Sequence, residues 1–138
     1  MSCFSDKNTQ IATLIKPIVS SDELFNPNIP KVVINTKNEA VFFSRSPLPY
    51  FRNAVPETWV NKHMYYRHIG LYAYRSDILK RITGLPQSRL EIAESLEQLR
   101  WIENGYTIKV EFTDYDSCPV DTPEDLINIH NNKNPDFL

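Results

Sequence analysis

The 138 residues carry 15 Lys and Arg against 17 Asp and Glu, for a formal net charge of −2, and are 41% hydrophobic and 12% aromatic. That is apolar material for one core and one domain, too much for a disordered chain. Balanced, dispersed charge excludes a dedicated nucleic-acid or anionic-membrane binder, which would carry a basic stripe. The only glycines, Gly70, Gly84 and Gly105, are isolated, which excludes a glycine-rich phosphate loop.

Cys3 and Cys118 stand far apart and match no metal-ligand spacing. No apolar run is long enough to span a bilayer, and the start lacks the pattern of a secretory signal. A reduced, cytoplasmic protein is the expected class.

In chain order, Ile11–Ile18 (IATLIKPI) is rich in β-branched residues and reads as a strand. Ser20–Phe25 makes one helical turn, stopped by Asn26-Pro27-Asn28-Ile29-Pro30. Lys31–Asn35 and Ala40–Ser44 flank the polar run Thr36–Glu39 as a β-hairpin. Pro47, Pro49 and Pro56 make Ser46–Lys62 a long irregular loop. His68–Tyr74 reads as a buried strand, and Ser76–Thr83 as a short helix closed by Gly84. A longer helix begins at the capping box of Ser88 and Glu91 and ends before Gly105. Its apolar stripe is Ile92, Leu96 and Leu99. Tyr106–Phe112 is an alternating strand, and a last helix runs from Pro123 to about Asn131. Strands and helices in alternation imply an α/β fold, and the early hairpin makes its sheet mixed, with flanking helices.

Several polar residues are not needed by this scaffold. Thr122, Pro123 and Asp125 complete the start of the last helix, so Asp121 is left at the carboxyl edge of a sheet, where open α/β folds bind ligands. It can equally serve the helix dipole. Arg45 and Arg52, set among prolines, suit a carboxylate or phosphate clamp, or are two surface arginines. Glu97 and Gln98 lie off the apolar stripe, where a solvated helix face accounts for them, and Glu97 can pair locally with Arg100 or with an aromatic edge at Trp101. His68 shares a strand face with Tyr72 by the period of two, and a hydrogen-bonded core histidine explains it better than a metal ligand. No Ser-His-Asp or Cys-His arrangement is signalled.

Five ordered segments carry a resemblance: FNPN followed by KVV, AVFFSRSPLP, YYRHIGLYAYR, LEIAESLEQLRWIENGY and VDTPEDL. From about Thr9 to Leu126 the chain resembles 3-deoxy-manno-octulosonate (Kdo) cytidylyltransferases, also called CMP-Kdo synthetases, and closely resembles the Bacteroidetes-type members. The resemblance implies part of a nucleotide-diphospho-sugar transferase-like fold. It covers the Kdo-binding and dimerisation half that is C-terminal in the family; the N-terminal CTP-binding half is not among the matched segments. It implies transfer of CMP from CTP to Kdo for lipopolysaccharide synthesis, with Mg²⁺ as cofactor, a homodimer as the assembly, and no nucleic-acid or membrane partner. Residue by residue, it places Kdo on Arg45, Arg52, His68, Tyr72, Glu97 and Gln98, and Mg²⁺ on Asp121, which is thereby catalytic. The chain departs from the family pattern at Tyr50, Phe51 and Cys118-Pro119, the last on the approach to Asp121. The alternatives are a non-catalytic remnant that keeps the sugar-acid pocket or the dimer contact, and an unrelated domain that binds small acids.

Overall fold

Five strands make one mixed sheet in the computed structural model, which describes residues 2–115. Asp121 and the expected last helix lie outside the described residues. The expected first strand, β1 (Ile11–Ile18), lies inside the sheet, between β4 (Tyr65–Tyr74), antiparallel to it, and β5 (Ile108–Phe112), parallel to it. A strand with partners on both edges and cover on its faces needs apolar residues at successive positions, not a polar alternation. Accordingly Ile11, Ala12, Thr13, Ile15 and Ile18 are all buried.

The hairpin forms as expected from β2 (Lys31–Ile34) and β3 (Ala40–Ser44). Asn35 organises its turn: the side-chain carbonyl accepts the backbone N–H of Lys37 at 2.8 Å and of Glu39 at 3.0 Å. Asn38 takes the left-handed conformation there, at φ 55°, which asparagine tolerates better than most residues. β2 joins β4, and the spatial order is β3-β2-β4-β1-β5. A bridge between Glu39 and Lys109 then links the hairpin turn to β5, so the sheet curls until its two edges meet at one end.

Among the described residues five short α-helices flank the sheet: α1 (Ser21–Phe25), α2 (Trp59–Lys62), α3 (Ser76–Ile82), α4 (Arg89–Glu94) and α5 (Gln98–Glu103). Ile11, Ile15 and Ile108 of the sheet meet Ile78, Leu99 and Trp101 of the helices in the main core. A smaller cluster of Ile18, Leu24, Trp59 and Tyr65 closes the other end of β1 and β4.

Three local expectations are corrected. The segment expected to be an irregular loop contains a 3-10 turn, Pro56–Thr58, and then α2, because Trp59 is drawn into the smaller core. The strand expected from His68 starts three residues earlier, at Tyr65, since Tyr65 to Ile69 continue the ladder with β1. The single helix expected from Ser88 to Gly105 is two. Its capping box is present, but Ser95 sits at φ 52° and ends α4. The chain restarts as α5 after this break, and Ile92, expected on the buried stripe, is 65% exposed, while Gln98 is only 5% exposed. Arg100 pairs with Glu91, not with Glu97: its Nε donates to Glu91 Oε2 at 2.7 Å and its Nη2 to Oε1. Those hydrogen bonds hold the Glu91 carboxyl below the usual range, although burial opposes them.

Candidate functional site

A β-bulge makes the centre of the site. Thr13 pairs with Tyr72 and Leu14 with Ile69, so Gly70 and Leu71 have no opposite number on β1. Expected only to share a strand face, His68 and Tyr72 have their ring centroids 5.1 Å apart across the bulge, closer than four residues of regular strand would bring them. Phe43 of β3 meets the His68 ring edge-on at 5.1 Å. His68 Nε2 lies 2.9 Å from Thr13 Oγ1. Burial pushes the imidazole down to about 4, so the ring is neutral at physiological pH.

Tyr72 is wedged among aromatic rings, with Trp101 edge-on at 5.1 Å and Tyr74 stacked at 5.9 Å. Burial raises its phenol pKa, helped by Tyr74 and the Glu97 carboxylate. The Tyr72 hydroxyl is itself buried and has no hydrogen-bond partner among the described residues. Gln98, one helical turn before Trp101, is in the same condition: its Nε2 is buried and unpartnered. Trp101 therefore docks the start of α5 against the aromatic face of β4. Glu97, the residue that precedes α5, stays exposed, while its charge reaches Tyr72 and Tyr74.

Arg45 is held by the backbone. Its Nε donates to Glu94 O at 2.7 Å, Nη1 to Pro27 O at 3.0 Å and Nη2 to Ser95 O at 3.3 Å. Glu94 answers with its side chain, accepting from Ser44 Oγ at 2.7 Å and from the Arg45 backbone N–H at 2.9 Å. This reciprocal clasp ties the end of β3 to the joint between α4 and α5, and so sets where Glu97 and Gln98 start. Lys31 is sealed beneath, its Nζ donating to Asn26 O at 2.8 Å; burial, with Arg45 nearby, lowers it to about 8.

The structure thus brings His68 and Tyr72 into one aromatic wall, on which Trp101 docks the helix that starts at buried Gln98, with Glu97 just before it and Arg45 clasped at the joint. Arg52 is exposed, in the turn before Asn53, and no described contact joins it to this group. Asp121 lies outside the described residues. Two open grooves, of about 490 and 340 Å³, lie on either side of His63 and Met64, and none of the six described candidates lines them. Among the described residues these grooves present no orphaned buried polar atom, whereas Tyr72 and Gln98 each carry one. Sequence reasoning missed Thr13 and Glu94, and offered Trp101 only as a local partner for Glu97, not as the ring against Tyr72 and Tyr74. Thr13 did carry a signal, since a hydroxyl inside an apolar strand must find a partner. Glu94 carried none, because its role exists only once the helix breaks after it.

Residues 3–110 match the model of a family described as Cytidylyltransferase. The chain is 60% identical over 129 residues to the 3-deoxy-manno-octulosonate cytidylyltransferase of Parabacteroides distasonis, covering 91% of this chain and 51% of that protein. The enzymes of the same name from Bacteroides thetaiotaomicron and Thermodesulfovibrio yellowstonii are 58% and 51% identical, covering 91% and 88% of this chain and 51% and 48% of theirs. The chain thus spans about half the length of the curated relatives it matches. Among solved structures, a CMP:2-keto-3-deoxy-manno-octonic acid synthetase complexed with CTP superposes with a TM-score of 0.81 at 40% identity, over 94% of this chain and 51% of that one. With the mixed sheet and its helices matched at that level, the partial nucleotide-diphospho-sugar transferase fold is established. By the reach of the family model across its sheet and aromatic wall, this chain belongs to the cytidylyltransferase family.

Proposed function

We propose that this chain is the sugar-acid half of a 3-deoxy-manno-octulosonate cytidylyltransferase, an enzyme that transfers CMP from CTP to Kdo for lipopolysaccharide synthesis. In that reaction the anomeric hydroxyl of Kdo releases its proton as its oxygen bonds to the α-phosphorus of CTP, the bond from that phosphorus to the bridging oxygen breaks, and pyrophosphate leaves. The observation that carries the reading is the pair of buried, unpartnered polar atoms, Tyr72 Oη and Gln98 Nε2. Such atoms are costly unless something bonds to them, and a polyhydroxylated ring supplies an acceptor to each. Glu97 and neutral His68 accept hydroxyl protons. Arg45 commits three of its five N–H groups to carbonyls, which leaves two, together with exposed Arg52, for the Kdo carboxylate.

Mg²⁺ enters the proposal through Asp121. Among the described residues no group of three His, Cys, Asp or Glu side chains could hold a metal ion, and a single carboxylate completed by phosphate oxygens is an ordinary Mg²⁺ environment. When bound, the ion neutralises triphosphate charge. In an enzyme completed with a nucleotide-binding half, Asp121→Asn is expected to abolish most transfer. Its melting temperature should move by no more than about 1 kcal/mol implies, because in the sequence Thr122, Pro123 and Asp125 supply the cap and first turn of the expected helix without it. Normal turnover with an unshifted Mg²⁺ requirement would remove Asp121 from the site. A cytoplasmic homodimer belongs to the same proposal. No helix among the described residues is long and apolar enough to cross a membrane, and sedimentation velocity reads the assembly.

The direct test is calorimetric titration of Kdo into the 138-residue chain and its Gln98→Leu variant. The variant removes an unpaired buried amide, so its stability should be unchanged or higher by up to about 1 kcal/mol. Kdo affinity should fall at least about tenfold, roughly the value of one hydrogen bond. Equal Kdo affinity in the two proteins sinks the pocket assignment.

A further inference from the structure

Thr13 is fully buried in the middle of an apolar strand, where an unbonded hydroxyl is costly. Its Oγ1 lies 2.8 Å from Leu71 O, 3.3 Å from Ile69 O and 2.9 Å from His68 Nε2. A hydroxyl has one proton to donate, and carbonyl oxygens only accept. The 2.8 Å approach to Leu71 O is stable only with that proton between the two oxygens; otherwise lone pair faces lone pair. The contact with His68 is then a hydrogen bond only if Nε2 carries the hydrogen. We propose that Thr13 is a positioning residue that holds His68 as the Nε2-protonated neutral tautomer, leaving Nδ1 bare to accept a ligand hydroxyl.

The surroundings agree. The rings facing His68 are Phe43 and Tyr72, and neither supplies a charge that would favour imidazolium. Burial also disfavours the charged ring. No hydrogen bond to Nδ1 comes from the described residues; the one polar contact of the ring is through Nε2. The bulge explains why a threonine can do this. Leaving Gly70 and Leu71 unpaired brings the carbonyls of Ile69 and Leu71 to one side-chain oxygen, which a regular ladder would keep in separate inter-strand bonds. The consequence is specificity. At this position the pocket accepts a hydroxyl proton, so a polyhydroxylated sugar acid fits and an analogue with an ether or a carbonyl there does not.

The ligand part of this inference rests on the sugar-acid reading; the tautomer part does not, and the experiment separates them. Two-bond ¹H–¹⁵N correlation spectra of the ¹⁵N-labelled 138-residue chain, without ligand, report which nitrogen of His68 is protonated. The expected pattern is a protonated-type Nε2 and an unprotonated-type Nδ1 at neutral pH. Thr13→Ser should keep that pattern, and Thr13→Val should shift both nitrogens toward the averaged values of exchanging tautomers. A wild-type ring protonated on Nδ1, or a Thr13→Val ring with an unaltered pattern, would overturn the role of Thr13. The wild-type spectrum decides the tautomer even where Thr13→Val fails to fold. Adding Kdo should then move Nδ1 upfield as it accepts a hydroxyl. An Nδ1 unmoved by bound Kdo overturns the pocket assignment and leaves the tautomer standing.

Discussion

Arg45→Met is expected to lower the melting temperature by about 10 °C and to weaken Kdo at least about tenfold, whereas Arg52→Ala weakens Kdo alone. The difference comes from what each guanidinium touches. Arg45 donates to the carbonyls of Pro27, Glu94 and Ser95, three groups from two separate stretches of chain. A hydrogen bond from a charged donor is worth about 1.5–3 kcal/mol, and three on one side chain are not additive, so about 3 kcal/mol in total is a fair expectation. Kdo affinity falls with it because the clasp sets the joint from which Glu97 and Gln98 start. Arg52 is exposed, so its loss should change stability by no more than about 0.5 kcal/mol. Differential scanning calorimetry and Kdo titration on the two variants give the comparison. An Arg45→Met protein that melts with the wild type would show that the clasp contributes nothing to the fold.

Acid is expected to weaken the fold through His68 before it reaches the carboxylates. The buried imidazole is held at about 4 against an ordinary 6.5. Between those values the unfolded chain takes up a proton that the folded ring refuses, so the unfolded state gains as pH falls. The stabilisation is fully present above about 6.5 and is lost as pH drops toward 4. A depression of this size is worth about 3 kcal/mol in all, of which about 2 kcal/mol is gone by pH 5. Glu39 and Glu91, whose carboxyls are held below the usual range, contribute chiefly below that pH. Urea unfolding at about pH 7 and pH 5 should therefore show the loss in the wild type, and His68→Gln should flatten it. An equal acid loss in His68→Gln would mean that some other group titrates.

The elements that the sequence specified by itself are those governed by local chemistry. Ile11–Ile18 is a strand because eight residues, mostly apolar and several β-branched, can be buried between two partners. Ser20 caps α1 through Glu23 N, and Ser88 with Glu91 forms the capping box of α4, each a bond within one turn. Five ordered motifs were likewise legible, and the family model covers most of the chain they span.

Tertiary structure alone decided how the candidate residues stand to one another. The helix pattern from Ser88 to Gly105 is periodic enough to read as one piece, and only the clasp between Arg45 and Glu94, residues far apart in sequence, marks the break at Ser95. That break buries Gln98, which a straight helix would have left in solvent, and turns Ile92 outward. Thr13 needs the bulge in a partner strand more than fifty residues away before its hydroxyl has carbonyls to bond. The physical reason is common to both. A cap or an alternating strand draws its partners from its own neighbours, whereas a buried polar atom takes its partner from whatever chain the fold brings there.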